Sequence, residues 1–392
     1  MKFAVTGGAG FVGNNIVKLL VSKGHNVVVI DNLHTGKKEN LQEVIEKIEF
    51  HNIDIRDFSK LEFVLKNVDG IFHEAALTIV QESFQKEKEY FDVNVKGTEN
   101  IFKIAKKFKK KVVYASSSSI YGDTKEIPIK ENFERKPINP YGQTKLEDEF
   151  LAEKYVKEGV SIIGLRYFNI FGKGQTGSYA GVITQFIRKL KENKSPIVFG
   201  DGSQIRDFIH VSDIAKANLS AMLSETNSGF FNIGTGIPIK IKELAYMMIK
   251  IFDKEFEPVF LDPLKGDVKK SQADINHSKN KLNWKYKIEL NDLINILDNY
   301  IEDECLIKII FYDLNDIILK KTIDKESIFV DYNNNLVYWK DIAHSFGAQL
   351  NKEDRKLISA DMKRLDIAYA KDKSVNNNKG CYLGLKLIVK PT

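Results

Sequence analysis

The sequence predicts an α/β protein built on a doubly wound parallel sheet, and three observations carry that prediction. A short apolar strand at residues 2–6 runs into a glycine-rich turn and then a helix. Apolar strands go on alternating with helical segments through Arg166. The segments that follow the strands, Gly7–Gly13, Asp31, Asp54, Ala75–Ala76 and Ser116–Ser119, fall at one sheet edge. Repeated strand–helix alternation gives parallel pairing, and such sheets bind ligands at the carboxyl ends of their strands.

The first unit reads strand, glycine turn, helix, strand, acid. Lys2–Thr6 leads into Gly7-Gly8-Ala9-Gly10-Phe11-Val12-Gly13, a helix runs to about Lys23, and Asn26–Ile30 ends at Asp31. Gly8, Gly10 and Gly13 satisfy G-x-G-x-x-G in the setting that gives the motif meaning. Glycines permit a tight turn and let a pyrophosphate approach the backbone, while N–H groups at the helix start, around Phe11 and Val12, bind phosphate. Asp31 lies 18 residues beyond Gly13, where a carboxylate accepts from the adenosine ribose hydroxyls. Its charge repels a 2′-phosphate, so NAD is expected rather than NADP.

A third strand near Ile48–Ile53 leads to Asp54, and a helix follows over Phe58–Lys66. The fourth strand, Gly70–Phe72, precedes His73-Glu74-Ala75-Ala76, and a helix spans about Glu87–Lys107. A fifth strand, Val112–Ala115, runs into Ser116-Ser117-Ser118-Ser119-Ile120-Tyr121-Gly122. A further helix carries Tyr141, and a strand at Ser161–Arg166 closes the alternation.

On that helix Tyr141 and Lys145 stand one turn apart on a shared face. An ammonium beside a phenol favours the phenolate, which makes Tyr141 a candidate general base or acid. Taken alone, the pair is a common pattern on solvated helices. The glycine loop supplies the hydride acceptor that gives it a use.

Composition narrows the class. Hydrophobic content of 43% with 29% charged residues describes a soluble globular protein, and no stretch approaches a membrane span. Lys2–Val5 follows Met1 directly as a strand, so no cleavable signal is expected, and the expected compartment is cytoplasmic. Cys305 and Cys381 offer no disulfide framework or zinc spacing, so no metal is expected. Net charge is +6, but 59 basic residues against 53 acidic ones is a mixed surface. The Lys106–Lys111 run sits at a helix C-terminus, where cations offset the dipole, and no nucleic-acid partner is expected.

Thr6–Gly13, Asn94-Val95-Lys96-Gly97-Thr98, Ser116–Gly122 and Tyr141–Lys145 resemble the extended short-chain dehydrogenase/reductases. Leu165-Arg166-Tyr167-Phe168-Asn169, Arg206-Asp207-Phe208-Ile209-His210-Val211 and Phe231–Gly236 narrow the likeness to sugar-nucleotide epimerases of the UDP-glucose and UDP-N-acetylglucosamine 4-epimerase type. The match runs in order from residue 1 to about 302. The resemblance implies a Rossmann domain over 1–168 and an interleaved nucleotide-sugar region over 169–302. It also implies a homodimer through the helices that begin near Glu87 and Tyr141.

By the same resemblance Tyr141 is the catalytic tyrosine, Lys145 its activating lysine, and Ser117 the hydroxyl that bonds the reacting sugar. Gly7, Gly10, Phe11, Val12 and Gly13 form the pyrophosphate loop. Asp31 and Asn32 take the adenosine ribose, and Asp54 and Ile55 the adenine. Ala75, Ala76 and Asn94 line the cofactor channel. Asn169, Arg206 and Asp267 fall with the nucleotide-sugar contacts, and Ser271 with a size gate that leaves room for an N-acetyl group. The implied activity is transient C4 oxidation of a UDP-hexose by bound NAD, followed by re-reduction on the other face. Ser118 and Ser119 replace the Asp-Glu pair of the 4,6-dehydratases and disfavour elimination of water.

Two departures stand out. Leu264 replaces an arginine, which leaves Arg206 a larger share of the diphosphate. Glu74 and Leu77 stand where leucine and glutamine are usual; a solvated Glu74 is the preferred reading, and a group that tunes substrate choice the other. Residues 303–392 fall outside the family pattern. Strands at Leu306–Phe311, Ile317–Ile323, Ile328–Tyr332, Leu336–Trp339 and Tyr382–Val389, with a helix over Lys352–Tyr369, make a small α+β appendage. Binding module and stabilising extension both remain open for it. Competing readings of the whole chain are a UDP-glucuronate epimerase or decarboxylase, and an NAD-binding sensor or scaffold without turnover.

Overall fold

The structure, a computed structural model, describes residues 1–172, 174–175, 181–288, 327–331 and 385–389. The chain divides into two units, Met1–Asn291 and Asp292–Thr392. The first unit opens with β1 (Lys2–Thr6), α1 (Phe11–Ser22), β2 (Asn26–Ile30), β3 (Ile48–His51), α2 (Phe58–Leu65) and β4 (Gly70–His73). Two single-turn helices follow, α3 (Val80–Ser83) and α4 (Glu87–Tyr90), then a π-helical turn at Phe91–Lys96 and α5 (Gly97–Phe108). Next come β5 (Lys111–Ser117), α6 (Pro140–Lys157), β6 (Ile162–Tyr167), β7 (Asn169–Phe171), α7 (Val182–Lys191) and β8 (Ile197–Phe199). The unit continues with β9 (Ile205–His210), α8 (Val211–Leu223), β10 (Ser228–Ile233), β11 (Pro238–Lys240), α9 (Ile241–Ile251), β12 (Val259–Leu261) and α10 (Asn276–Leu282).

Seven strands form one sheet in the order β10-β6-β5-β4-β1-β2-β3, every neighbour parallel. Successive side chains on a strand point to opposite faces, and both faces of this sheet are buried. Phe3 and Val5 of β1 join a core with Ile16, Val17 and Leu20 of α1 and Ala217 and Ala221 of α8. Ala4 between them joins a second core with Leu61, Leu65, Ile101 and Ile104. This is the doubly wound arrangement that the strand–helix alternation predicts. The chain moves outward from β1 to β3, then returns to lay β4 on the other side of β1. That reversal opens a crevice above β1 at the carboxyl edge.

Smaller sheets complete the unit. β9 pairs in parallel with β7 and antiparallel with β11, and β8 pairs in parallel with β12. In the second unit β13 (Ser327–Asp331) pairs antiparallel with β14 (Leu385–Val389). The sequence places strands at both positions; the other elements expected between Leu306 and Tyr369, and a helix over Leu290–Glu302, lie outside the described residues.

Two local differences bear on the site. The segment expected as one helix over Glu87–Lys107 is interrupted by the π-turn at Phe91–Lys96, which contains Asn94. The fifth strand extends past Ala115, because Ser116 and Ser117 continue the ladder opposite Arg166 and Tyr167.

Candidate active site

A cleft of about 600 Å³ lies in the crevice above β1. The β2 and β3 ends contribute Asp31, Asn32, Asp54 and Ile55, and the turn after β1 contributes Gly7, Gly10, Phe11, Val12 and Gly13. The far side, from the ends of β4, β5 and β6 and from α6, supplies Ala75, Ala76, Ser117, Tyr167, Tyr141 and Lys145.

The glycine loop fits a pyrophosphate cradle. A Cβ on Gly13 would lie 2.1 Å from the Gly7 carbonyl oxygen, and one on Gly7, at φ +65°, would lie 2.7 Å from the Ala75 nitrogen. Only glycine permits backbone this close. α1 starts at Gly10 without a side-chain cap, which leaves its first-turn N–H groups for an anion. Asp31 is fixed by the Ala9 N–H on one carboxylate oxygen at 3.0 Å and the Leu33 N–H on the other at 2.8 Å. Burial pushes its carboxyl up, and those two bonds work against it. Asn32 donates to Asp54 at 3.0 Å. Arg56 donates twice to Asp54, at 2.8 and 2.7 Å, and holds its carboxyl down to about 2.

Tyr141 sits in the first turn of α6. Asn139 caps that helix by accepting from the Gly142 N–H at 2.7 Å, with Pro140 preset at the first helical position. The Tyr141 N–H donates to the Ser83 hydroxyl at 3.2 Å. One turn on, Lys145 is buried and pairs with buried Asp148 at 3.2 Å. Burial disfavours the Lys145 cation, but Asp148, Tyr141 and Glu74 outweigh it and hold the amine above its ordinary range. Lys145 therefore stays charged and faces Tyr141. Across the cleft Ser117 accepts from the Ser119 N–H at 3.1 Å. The end of β5 is tied down by Ser116, which donates to buried Glu149 at 2.7 Å, where Arg166 also donates twice at 2.8 Å.

Asn94 is placed differently from a channel-lining residue. It is fully buried in the π-turn, accepts from the Leu77 N–H at 2.8 Å, and donates to the Leu77 carbonyl and the Thr144 hydroxyl at 3.0 Å. It braces the wall of the cleft from behind. Glu74 is half-buried at the cleft wall rather than fully solvated. Its carboxyl oxygens accept from the Tyr167 hydroxyl at 3.1 and 3.3 Å, and its partial removal from water pushes it up to about 8.

Asn169, Arg206, Asp267 and Ser271 gather along β9 rather than in the cleft lining. Asn169 donates to the Asp207 carbonyl at 3.3 Å, Arg206 pairs with Asp267 at 2.5 Å, and the Ser271 N–H donates to the Ile205 carbonyl at 3.0 Å. The Gly266–Ser271 loop is pinned to the start of α6, since Asn139 donates to the Gly266 carbonyl at 3.2 Å. One loop thus joins the β9 group to the turn that carries Tyr141.

Asp148 and Tyr167 are site residues that the sequence reading does not single out. The i,i+3 spacing of Lys145 and Asp148 was a usable signal. Nothing local in the sequence links Tyr167 to Glu74. No cluster of acidic, histidine or cysteine side chains suited to a metal occurs among the described residues.

A glycine-cradled cleft with an acid after the second strand, and a tyrosine–lysine pair opposite, defines a dinucleotide-dependent enzyme of the short-chain dehydrogenase type. The chain belongs to the NAD dependent epimerase/dehydratase family, whose model matches residues 3–234. NAD is the cofactor that this membership carries. Among curated relatives, a putative UDP-glucose 4-epimerase of Methanocaldococcus jannaschii is 37% identical over 76% of this chain and 98% of its own length. A solved UDP-glucose 4-epimerase of Thermotoga maritima, with UDP-glucose, is 33% identical at a TM-score of 0.72, covering 76% of this chain and 97% of that one. A UDP-N-acetylglucosamine 4-epimerase of Methanobrevibacter ruminantium, in complex with UDP-N-acetylmuramic acid, is 34% identical at 0.71, covering 76% and 95%.

Proposed function

We propose that the protein is an NAD-dependent UDP-hexose 4-epimerase that interconverts UDP-glucose with UDP-galactose and UDP-N-acetylglucosamine with UDP-N-acetylgalactosamine. The observation that carries this reading is the meeting of Ser117, Tyr141 and Lys145 in the cleft that the glycine loop also lines. Gly7, Gly10, Phe11, Val12 and Gly13 hold the pyrophosphate, Asp31 and Asn32 the adenosine ribose, and Asp54 and Ile55 the adenine. When bound, NAD accepts a hydride from C4 of the sugar and returns it.

Tyr141 takes the C4 hydroxyl proton during oxidation and gives it back during reduction, so one residue serves both directions. Lys145 keeps a positive charge beside the Tyr141 oxygen. Ser117 hydrogen-bonds the reacting hydroxyl and fixes which carbon is presented. Asn169, Arg206 and Asp267 hold the nucleotide, which leaves the 4-keto sugar free to turn over between the two hydride transfers. Ser118 and Ser119 cannot act as an acid–base pair, which favours epimerisation over dehydration. Small, buried Ser271 supports acceptance of N-acetylated sugars. We read the active form as a homodimer, supported by half-exposed Phe91 beside α5 and Phe150 on α6, and its compartment as cytoplasmic.

Purified protein incubated separately with UDP-glucose and UDP-N-acetylglucosamine, with product stereochemistry read by NMR, tests the reading. C4 inversion of both is expected; inversion of neither sinks it.

A further inference from the structure

Glu74 sits where β4 ends, immediately before the Ala75–Ala76 pair, and lines the cleft with Tyr141, Lys145 and Tyr167. Its N–H donates to the Thr6 carbonyl at 3.1 Å, which fixes its backbone to the strand under the glycine loop. The Tyr167 hydroxyl that holds its carboxyl accepts in turn from buried Asn218 of α8 at 2.7 Å. A chain of hydrogen bonds from α8 through β6 therefore aims an acid into the reaction end of the cleft. The titratable groups facing it are Tyr167 from β6 and Lys145 from α6. Tyr141 faces those two in turn.

We propose that Glu74 senses the charge of the bound nicotinamide: it stabilises the oxidised cofactor over the reduced one and takes up a proton when the ring becomes neutral. Hydride transfer removes the positive charge of the nicotinamide ring. A carboxylate sharing the desolvated cleft favours the charged, oxidised ring. Burial holds the Glu74 carboxyl up at about 8, with the Tyr167 hydrogen bond and the Lys145 charge working against burial. At neutral pH it is mostly protonated beside Lys145 alone, and the oxidised nicotinamide ring brings the further positive charge that ionises it. Its proton leaves to solvent when NAD binds and returns from solvent when the ring is reduced, so the ring and the carboxyl together keep nearly constant charge. Disfavouring the reduced cofactor drives the hydride back to the sugar before the keto form escapes. The proposal rests on NAD occupying this cleft and not on which sugar is turned over.

The test uses no sugar. Cofactor-free protein is titrated calorimetrically with NAD and, separately, with NADH, near neutral pH in buffers of different ionisation heat. The wild type is expected to release about one proton more on binding NAD than on binding NADH. Glu74→Gln keeps a partner for Tyr167 but cannot ionise. It should lose that proton and raise NADH affinity relative to NAD about tenfold, equivalent to about 30 mV for a two-electron couple. Glu74→Leu should move the ratio in the same direction. An unchanged ratio in Glu74→Gln overturns the proposal, and so does a shift confined to Glu74→Leu, which would trace to packing. Failure of the wild type to bind NAD would instead overturn the cofactor placement beneath it.

Discussion

Tyr141 and Lys145 are legible as a pair because an i,i+4 spacing puts both on one helix face. Their sequence does not disclose that Lys145 is buried against Asp148, nor that Glu74 shares its field. A buried ion pair depends on what the fold brings around it. On the proposed mechanism Tyr141→Phe removes only the proton carrier, so turnover should fall about a thousandfold (roughly the scale of acid–base catalysis) while NAD remains bound, as read by cofactor content after gel filtration. Loss of NAD together with activity would mean that the hydroxyl is structural. Ser271 is buried with its N–H on Ile205, so a larger side chain must project toward neighbouring space. Ser271→Tyr should selectively remove turnover of the N-acetylated sugar, read as the ratio of kcat/KM for the two substrates; equal losses would remove Ser271 from the gate.

Elements show the same division between what spacing dictates and what packing decides. β1, α1 and β2 fall where periodicity and the glycine turn put them, because the core and the phosphate loop constrain the same few residues. Gly13 is the sharpest case. Alanine there would press on the Gly7 carbonyl, and overpacking of this kind costs about 1–3 kcal/mol. Gly13→Ala should therefore lower the melting temperature and weaken NAD binding together. Asn139 caps α6 and also holds Gly266. Asn139→Ala should cost about 0.5–2 kcal/mol in urea unfolding and, on the proposed function, raise KM for the nucleotide sugar, because the Gly266–Ser271 loop loses its tie to the Tyr141 turn. Stability loss with KM unchanged would confine Asn139 to its cap. The π-turn was not legible: Asn94 satisfies Leu77 and Thr144 by distant contacts, which no helical periodicity encodes.

The pH response of the first unit belongs to the assembled sheet. Buried His73 bridges Thr6 at 2.7 Å and Thr98 at 2.9 Å, joining β1, β4 and α5. Burial, then the Lys145 charge, lowers its pKa from 6.5 to about 3. Between those values the unfolded chain binds the extra proton and the folded one does not. Stability is therefore full above about pH 6.5 and declines as pH falls toward 3. His73→Gln should flatten that part of the melting-temperature profile; an identical slope would assign the acid sensitivity elsewhere. The parallel α/β sheet, the glycine cradle, Asp31 and the Tyr141–Lys145 pair are legible in the sequence, because each follows from strand–helix alternation or from spacing within one strand–helix unit. The tertiary structure decided the rest. It carried Glu74 to Tyr167 and Asn218 and the Gly266–Ser271 loop to Asn139. Those contacts exist only after the strand order reverses at β1, when residues far apart in the chain share one desolvated edge.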